Sequence, residues 1–319
     1  MDEDKLSNHR FDFSIEVISV DKESRTATVR IIPDPRRYEW QEIDGKKFLL
    51  DKFERALLPE KFLEDVLNQL PKLPYYDEPP LIKSAAEYVE GRVSEIRKEL
   101  AGEFPRPSFA DKSEEFLETL KVNALGFAIV SIDVVNSTIL STSLSSKQYA
   151  LLIEVFLYEL SNLIPLFRGH VLKYTGDGLI AYFAEPGFTA KNDLAIDCAL
   201  SLRRIVYFGL NPCLKECNFP NIDVRIGLDS GQAFIQTIGS PNTKQHKDII
   251  GSVVNIATKI QSLAKPGGVS LGHATIQRLH TQWRVRCAES TLPETWPYKT
   301  LDGKPYRIHH VVDFGTAEL

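Results

Sequence analysis

His170–Phe183 reads HVLKYTGDGLIAYF. Val171, Leu172 and Tyr174 lead into Gly176-Asp177-Gly178, and Leu179, Ile180, Tyr182 and Phe183 lead out. An Asp-Gly step between apolar runs predicts a tight β-hairpin. A lone Gly-Asp-Gly is ordinarily only a turn. Here the flanks are apolar enough to set the turn beside a core. A second acid, Asp133, also closes an apolar run upstream, in Gly126–Thr138, GFAIVSIDVVNST. Two carboxylates at the ends of adjacent strands can hold a pair of hard cations, and through them a triphosphate.

Working outward, Phe127–Val134 predicts a buried strand, followed by a helix from about Ser145 to Phe167. After the hairpin come a helix from about Ala190 to Phe208 and two strands, Ile222–Leu228 and Gln232–Ile238, turned at Ser230-Gly231. Gly251–Leu263 predicts a further helix. Val269–Leu271, a short helix from Ala274 and a strand near Tyr306–Val312 complete the pattern. This order fits an α+β, ferredoxin-like (split βαβ) domain, with an antiparallel sheet and helices on one face. In that plan Asp133 and Asp177 converge. The loop from Val134 through Asn136, Ser137 and Thr138 would offer backbone N–H groups to phosphate oxygens beside them.

Upstream, Phe11–Pro33 alternates like a β-hairpin. Asp44-Gly45 marks a turn before a strand at Lys47–Leu50, and Pro59–Leu70 predicts a helix with Pro at its first position. Residues 1–70 thus form a small αβ module whose charges read as a solvated face. Residues 71–121 form a Pro-rich linker with helices: PKLPYYDEPP at Pro71–Pro80, then Ser84–Ala101 and Lys112–Lys121. The last of these either pairs with its twin in a dimer or packs on its own domain. Residues 122–319 form the second domain, which carries Asp133 and Asp177.

The 319 residues are 43% hydrophobic and carry a net charge of −5 with the signs interspersed, so no nucleic-acid-binding stripe is present. No run of about 18 apolar residues predicts a membrane span. MDEDKLSNHR at the N-terminus is acidic and no signal peptide. The four cysteines, Cys198, Cys213, Cys217 and Cys287, suit a reducing cytoplasm, and their spacing does not predict a zinc site.

Together these motifs resemble the class III nucleotidyl (adenylate/guanylate-type) cyclases over roughly Phe127 to Val312. The resemblance implies a metal site on Asp133, the Val134 main chain and Asp177, holding two Mg²⁺ or Mn²⁺ ions. It implies base contacts from Lys173, four residues before Asp177, and from Asp248, before the Gly-x-x-x-Asn of Gly251 and Asn255. Asn255 takes the ribose-orienting position. Four residues on, where the family has a transition-state Arg, stands Lys259. Residues four apart share a helix face, so both can reach one substrate. Lysine keeps the charge but loses the bidentate fork; Arg225 is the alternative cation. Lys299 and Lys304 match terminal-phosphate contacts only loosely. Tyr174, beside Lys173, narrows the base pocket if strand alternation does not turn it away.

The implied reaction turns a nucleoside triphosphate into its 3′,5′-cyclic monophosphate and pyrophosphate at the interface of a homodimer. Lys173 and Asp248 suit adenine, cytosine or uracil, so their hydrogen-bonding groups do not choose the base. DVVNST, KYTGDG and Lys259 look most like the pyrimidine (uridylate/cytidylate) cyclases of bacterial Pycsar anti-phage systems. That implies UTP, with CTP second, and a separate cyclic-nucleotide effector that reads the product. The alternatives are an adenylate cyclase making cAMP and a non-catalytic nucleotide-binding sensor.

Overall fold

A computed structural model describes residues 10–21, 26–61, 81–103, 112–120, 124–184, 190–300 and 303–314. They fall into two compact units, one of residues 1–77 with 279–285 and one of residues 78–278 with 286–319.

In the first unit, strands β1 (Phe13–Asp21) and β2 (Thr26–Pro33) form the expected antiparallel hairpin. β3 (Tyr38–Ile43), β4 (Lys46–Asp51) and β5 (Ala56–Pro59) form a separate antiparallel sheet. Pro59 therefore closes a strand, and the rest of the helix expected at Pro59–Leu70 lies, beyond residue 61, outside the described residues. The charges here are not all a solvated face. Arg37 is 1% exposed and donates to Asp51 at 2.7 and 2.9 Å and to Asp12 at 3.2 Å. Thr281 donates its hydroxyl to Asp12 at 2.6 Å. Burial would raise the Asp12 carboxyl, but Thr281, Arg10 and Arg37 hold it below the usual carboxylate range. Removing one member of such a cluster leaves an unpaired buried charge, at a cost of about 3–5 kcal/mol.

The second unit opens with α1 (Ala85–Leu100), whose N-cap Ser84 accepts the N–H of Glu87. Next comes α2 (Lys112–Thr119), then β6 (Ala124–Val134). α3 (Ser137–Ser143) and α4 (Ser146–Leu163) follow. Ser145 and Gln148 close a capping box on α4, which a 3₁₀ turn at Ile164–Phe167 extends. From Ser146 to Phe167 the segment is long and apolar enough to cross a membrane by length and composition alone. In the fold, Leu152, Val155, Phe156, Leu160 and Leu163 enter the core, and buried Glu159 pairs with Arg92 of α1 at 2.6 Å.

β7 (His170–Tyr174) and β8 (Gly178–Ala184) are the expected hairpin. α5 (Ala190–Arg204) runs through a π-helical turn into α6 (Asn211–Glu216). β9 (Val224–Ser240) and β10 (Lys244–Ile250) then precede α7 (Ser252–Leu263) and β11 (Val269–Gly272). α8 (His273–Arg278) leads on to α9 (Thr281–Arg284), which belongs to the first unit. β12 (Cys287–Glu289) and β13 (Ile308–Val311) end the sequence of elements.

The main sheet runs β12-β13-β11-β9-β6-β8-β7, with β10 added to β9. It is mixed rather than antiparallel, because β11 lies parallel to β9. Helices cover both faces, not one. Ser230 donates to Asn192 of α5, whereas a Cβ on Gly227 would lie 2.4 Å from the Ala257 carbonyl of α7. Positions 227 and 230 on one strand point to opposite faces. β9 is also continuous through the expected turn at Ser230-Gly231: Asp229, Ser230 and Gly231 pair with Ile129, Ala128 and Phe127 of β6. The polar step survives burial because Asp229 accepts from Tyr306 at 2.6 Å and Ser230 bonds Asn192 and Thr275. The chain turns instead at Ser240–Thr243, into β10, the strand that carries Asp248.

Candidate active site

Asp133 stands next to last on β6, in register with Gly178 of β8 and Arg225 of β9. Asp177 immediately precedes Gly178, so the two acids share one end of two neighbouring strands. Gly178 makes this possible: a Cβ there would lie 2.2 Å from the Ile132 carbonyl. The Val134 N–H donates to the Asp177 carbonyl at 3.2 Å and ties the turn to the end of β6.

Asp133 Oδ1 is buried without a hydrogen-bond partner. Burial raises the Asp133 carboxyl and the Asp177 charge adds to this, while Gln261 of α7 and Arg225 oppose it. The Gln261 amide faces Asp133 without closing a well-formed hydrogen bond; its Nε2, like Arg225 Nε, has no partner. No third His, Cys, Asp or Glu joins the two acids among the described residues. An orphaned, half-buried carboxylate beside a second one suits a hard divalent cation, which Asp133 and Asp177 would hold together with water and substrate oxygens. The residues fit the implied metal.

Beyond Val134 the expected loop is instead the start of a helix. Asn136 takes a left-handed conformation, φ 55°, as N-cap of α3. Ser137 and Thr138 open the helix, where N–H groups have no partner within the helix.

Lys173 and Asp248 meet although β7 and β10 share no ladder. Lys173 Nζ donates to Asp248 Oδ2 at 2.6 Å, and Asp248 Oδ1 accepts the Ile249 N–H at 2.8 Å. Tyr174 does not join them. It pairs with Leu179 where Lys173 pairs with Ile180, so alternation sends its ring to the other face, where its hydroxyl bonds Ser161 of α4 at 3.0 Å. The expected narrowing of the base pocket by Tyr174 is corrected on this ground. Asn255 and Lys259 share the exposed side of α7, with Val253, Val254, Ala257 and Ile260 buried beneath. Among the described residues no hydrogen bond or ion pair links either of them to the Asp133–Asp177 pair or to the Lys173–Asp248 pair. Lys299 pairs with Pro305 in an isolated bridge, and the Thr300 N–H donates to the Lys304 carbonyl. Sequence reasoning missed Gln261. The signal was a polar residue two positions past Lys259, on the buried side of the same helix.

Residues 125–294 match the family described as adenylate and guanylate cyclase catalytic domain. A protein named cytidylate cyclase from Escherichia coli is 27% identical over 191 residues, covering 57% of this chain and 39% of that protein. The chain thus spans well under half of that relative's length. Among solved structures, the guanylyl cyclase Cya2 superposes with a TM-score of 0.54 at 17% identity, covering 61% of this chain and 95% of that one. The adenylyl cyclase CyaB from P. aeruginosa gives 0.52 at 20% identity, covering 61% and 97%.

Proposed function

The chain belongs to the adenylate and guanylate cyclase catalytic domain family, and from that premise we propose that it cyclises a pyrimidine nucleoside triphosphate, UTP or CTP. The ribose 3′-oxygen attacks the α-phosphorus, the bond to the β-phosphate oxygen breaks, pyrophosphate leaves, and the hydroxyl proton passes to solvent. The observation that carries this reading is the Asp133–Asp177 pair with its unpartnered buried oxygen. Two divalent cations, Mg²⁺ or Mn²⁺, on Asp133, Asp177 and the Val134 carbonyl would supply activation of the 3′-hydroxyl and neutralisation of the triphosphate.

The chain's own groups do the rest. Asp248 accepts a base N–H while Lys173 donates to a ring nitrogen or carbonyl, a pattern that cytosine and uracil both satisfy. Asn255 orients the ribose, and Lys259 neutralises charge growing on the α-phosphate oxygens. The N–H groups of Asn136, Ser137 and Thr138 take phosphate oxygens. Asn255 and Lys259 serve the site of a second copy in a homodimer. Likeness to a relative named cytidylate cyclase supports the pyrimidine choice. From the resemblance of DVVNST, KYTGDG and Lys259 to the pyrimidine cyclases of Pycsar systems we propose that the product acts in anti-phage signalling through a separate effector.

Lys259 favours a second reading, a domain that binds nucleotide without turning it over. Purified full chain with Mn²⁺ and each of four nucleoside triphosphates, read by mass spectrometry, separates the readings. We expect cyclic UMP or cyclic CMP with pyrophosphate. Predominant cyclic AMP overturns the pyrimidine assignment, and binding without product establishes the second reading.

A further inference from the structure

Lys173 and Asp248 sit on strands that share no ladder, since β7 pairs with β8 and β10 with β9. The sheet connects them only indirectly, through β8, β6 and β9, so a direct brace between β7 and β10 would add to what holds their 2.6 Å ion pair in place. α2 packs against both strands. Glu114 Oε1 accepts the main-chain N–H of Lys247, the residue before Asp248, at 2.9 Å. Phe116 stacks on the ring of His170, at the start of β7, with centroids 4.0 Å apart. Tyr182 continues the stack and donates its hydroxyl to the Ser113 carbonyl at 2.9 Å. Leu117 is buried in one cluster with Ile180 and Ile249. Burial pushes the His170 ring down to about 4, so it stays neutral and serves as an aromatic surface.

We infer that α2 is a bracket that sets the spacing of Lys173 and Asp248, with Glu114 and Phe116 as its positioning residues. The inference rests on reading Lys173 and Asp248 as the base-recognising pair. Asp248 has both carboxylate oxygens engaged, one by Lys173 and one by its neighbour's N–H. Its place therefore follows the path of the β10 backbone, and Glu114 grips that backbone one residue away. Phe116 does the same for β7 through a ring face rather than a hydrogen bond.

The test uses the full chain with Mn²⁺ and four 3′-deoxynucleoside triphosphates, which lack the attacking hydroxyl and so report binding without turnover. Glu114→Ala should weaken the preferred nucleotide about fivefold, the worth of one hydrogen bond, and narrow the preference over the other bases. kcat should stay within about twofold, because the contact does not change in the transition state. Glu114→Gln, which keeps an acceptor oxygen, should bind as wild type does, and Phe116→Leu should narrow the preference with an unchanged melting temperature. Asp248→Asn is the control. If it alters base preference while Glu114→Ala and Phe116→Leu leave every affinity unchanged, α2 only packs and the inference fails. A weakened Glu114→Ala that Glu114→Gln does not restore removes Glu114 from the role. If Asp248→Asn itself leaves base preference unchanged, the base-reading assignment falls, and the bracket with it.

Discussion

Asp133, half-buried, and Asp248, buried, are two carboxylates left in opposite states. Asp248 is complete within the chain, with a lysine on one oxygen and a backbone N–H on the other. Asp133 has a buried oxygen with no partner, a second acid beside it, and two donors nearby that do not close on it. The Lys173–Asp248 end, which we propose reads the base, is thus preorganised by its own hydrogen bonds. The other end carries an unfavourable arrangement that an added cation, or a proton on Asp133, relieves. Unpaired buried charge is costly and persists where function requires it. Under the proposed function, Asp133 would serve the chemistry and Asp248 the selectivity.

The strongest way to break this contrast is to remove the incomplete end. Asp133→Ala or Asp177→Ala should lower turnover by about a thousandfold or more, since metal stabilisation of the transition state is worth several kcal/mol. The melting temperature without metal should hold or rise, because each change removes one of two mutually repelling charges. Turnover near wild type with Mg²⁺ or Mn²⁺ in either variant overturns the assignment of the metal end.

A smaller effect sharpens the contrast across subunits. Asn255 and Lys259 lie on the exposed side of α7, with no bond to either acid pair among the described residues. If they serve the partner's metals, Asp133→Ala chains and Asn255→Ala chains are each nearly inactive alone. A heterodimer of the two has one doubly defective site and one intact site. On mixing, activity should return to roughly a quarter of wild type, from random pairing under two-fold symmetry. Subunit exchange without any return of activity would place the whole catalytic set within one chain.

Much of this arrangement was legible in the chain itself. The Gly-Asp-Gly hairpin, the apolar strand ending at Asp133 and the Gly-x-x-x-Asn helix are local patterns, fixed by residues close in sequence. The errors lie where distant partners decide. Asp229-Ser230-Gly231 looks like a turn until Tyr306, Asn192 and Thr275 satisfy its polar groups from afar. Arg37, Asp12 and Asp51 look like solvated charges because their partners are distant: Arg37 lies 14 positions from Asp51 and 25 from Asp12, and Thr281 lies 269 from Asp12. The position of α2 just upstream of β6 left two readings open, and the contacts of Glu114, Phe116 and Leu117 pack it against its own domain. Tyr174 went astray for a local reason, since one step along a strand reverses the face.

Asp229 supplies the finest test, because it separates burial from function. It lies in the same strand as Arg225 and is 2% exposed, yet unlike Asp133 it is partnered, by the Tyr306 hydroxyl at 2.6 Å. Burial pushes its carboxyl up to about 7 against the pull of that hydrogen bond, of the Ser230 N–H and of Arg278. A carboxyl raised on folding binds its proton more tightly in the folded state. Its contribution to stability is therefore complete below the unfolded value, near 3.8, and is lost as pH rises through about 7. Other carboxyls oppose this trend, Asp12 and Glu216 among them, since both are held low in the fold. The difference between wild type and Asp229→Asn isolates the one group. From pH 5 to pH 8 the wild type should lose on the order of 2 kcal/mol relative to Asp229→Asn, which does not ionise. Paired denaturant titrations at the two pH values measure this directly. A difference that does not change with pH would mean that Tyr306 compensates the charge in full. Partnering would then decide the state of a covered carboxylate here, and the orphan oxygen of Asp133 would be the stronger mark of a site.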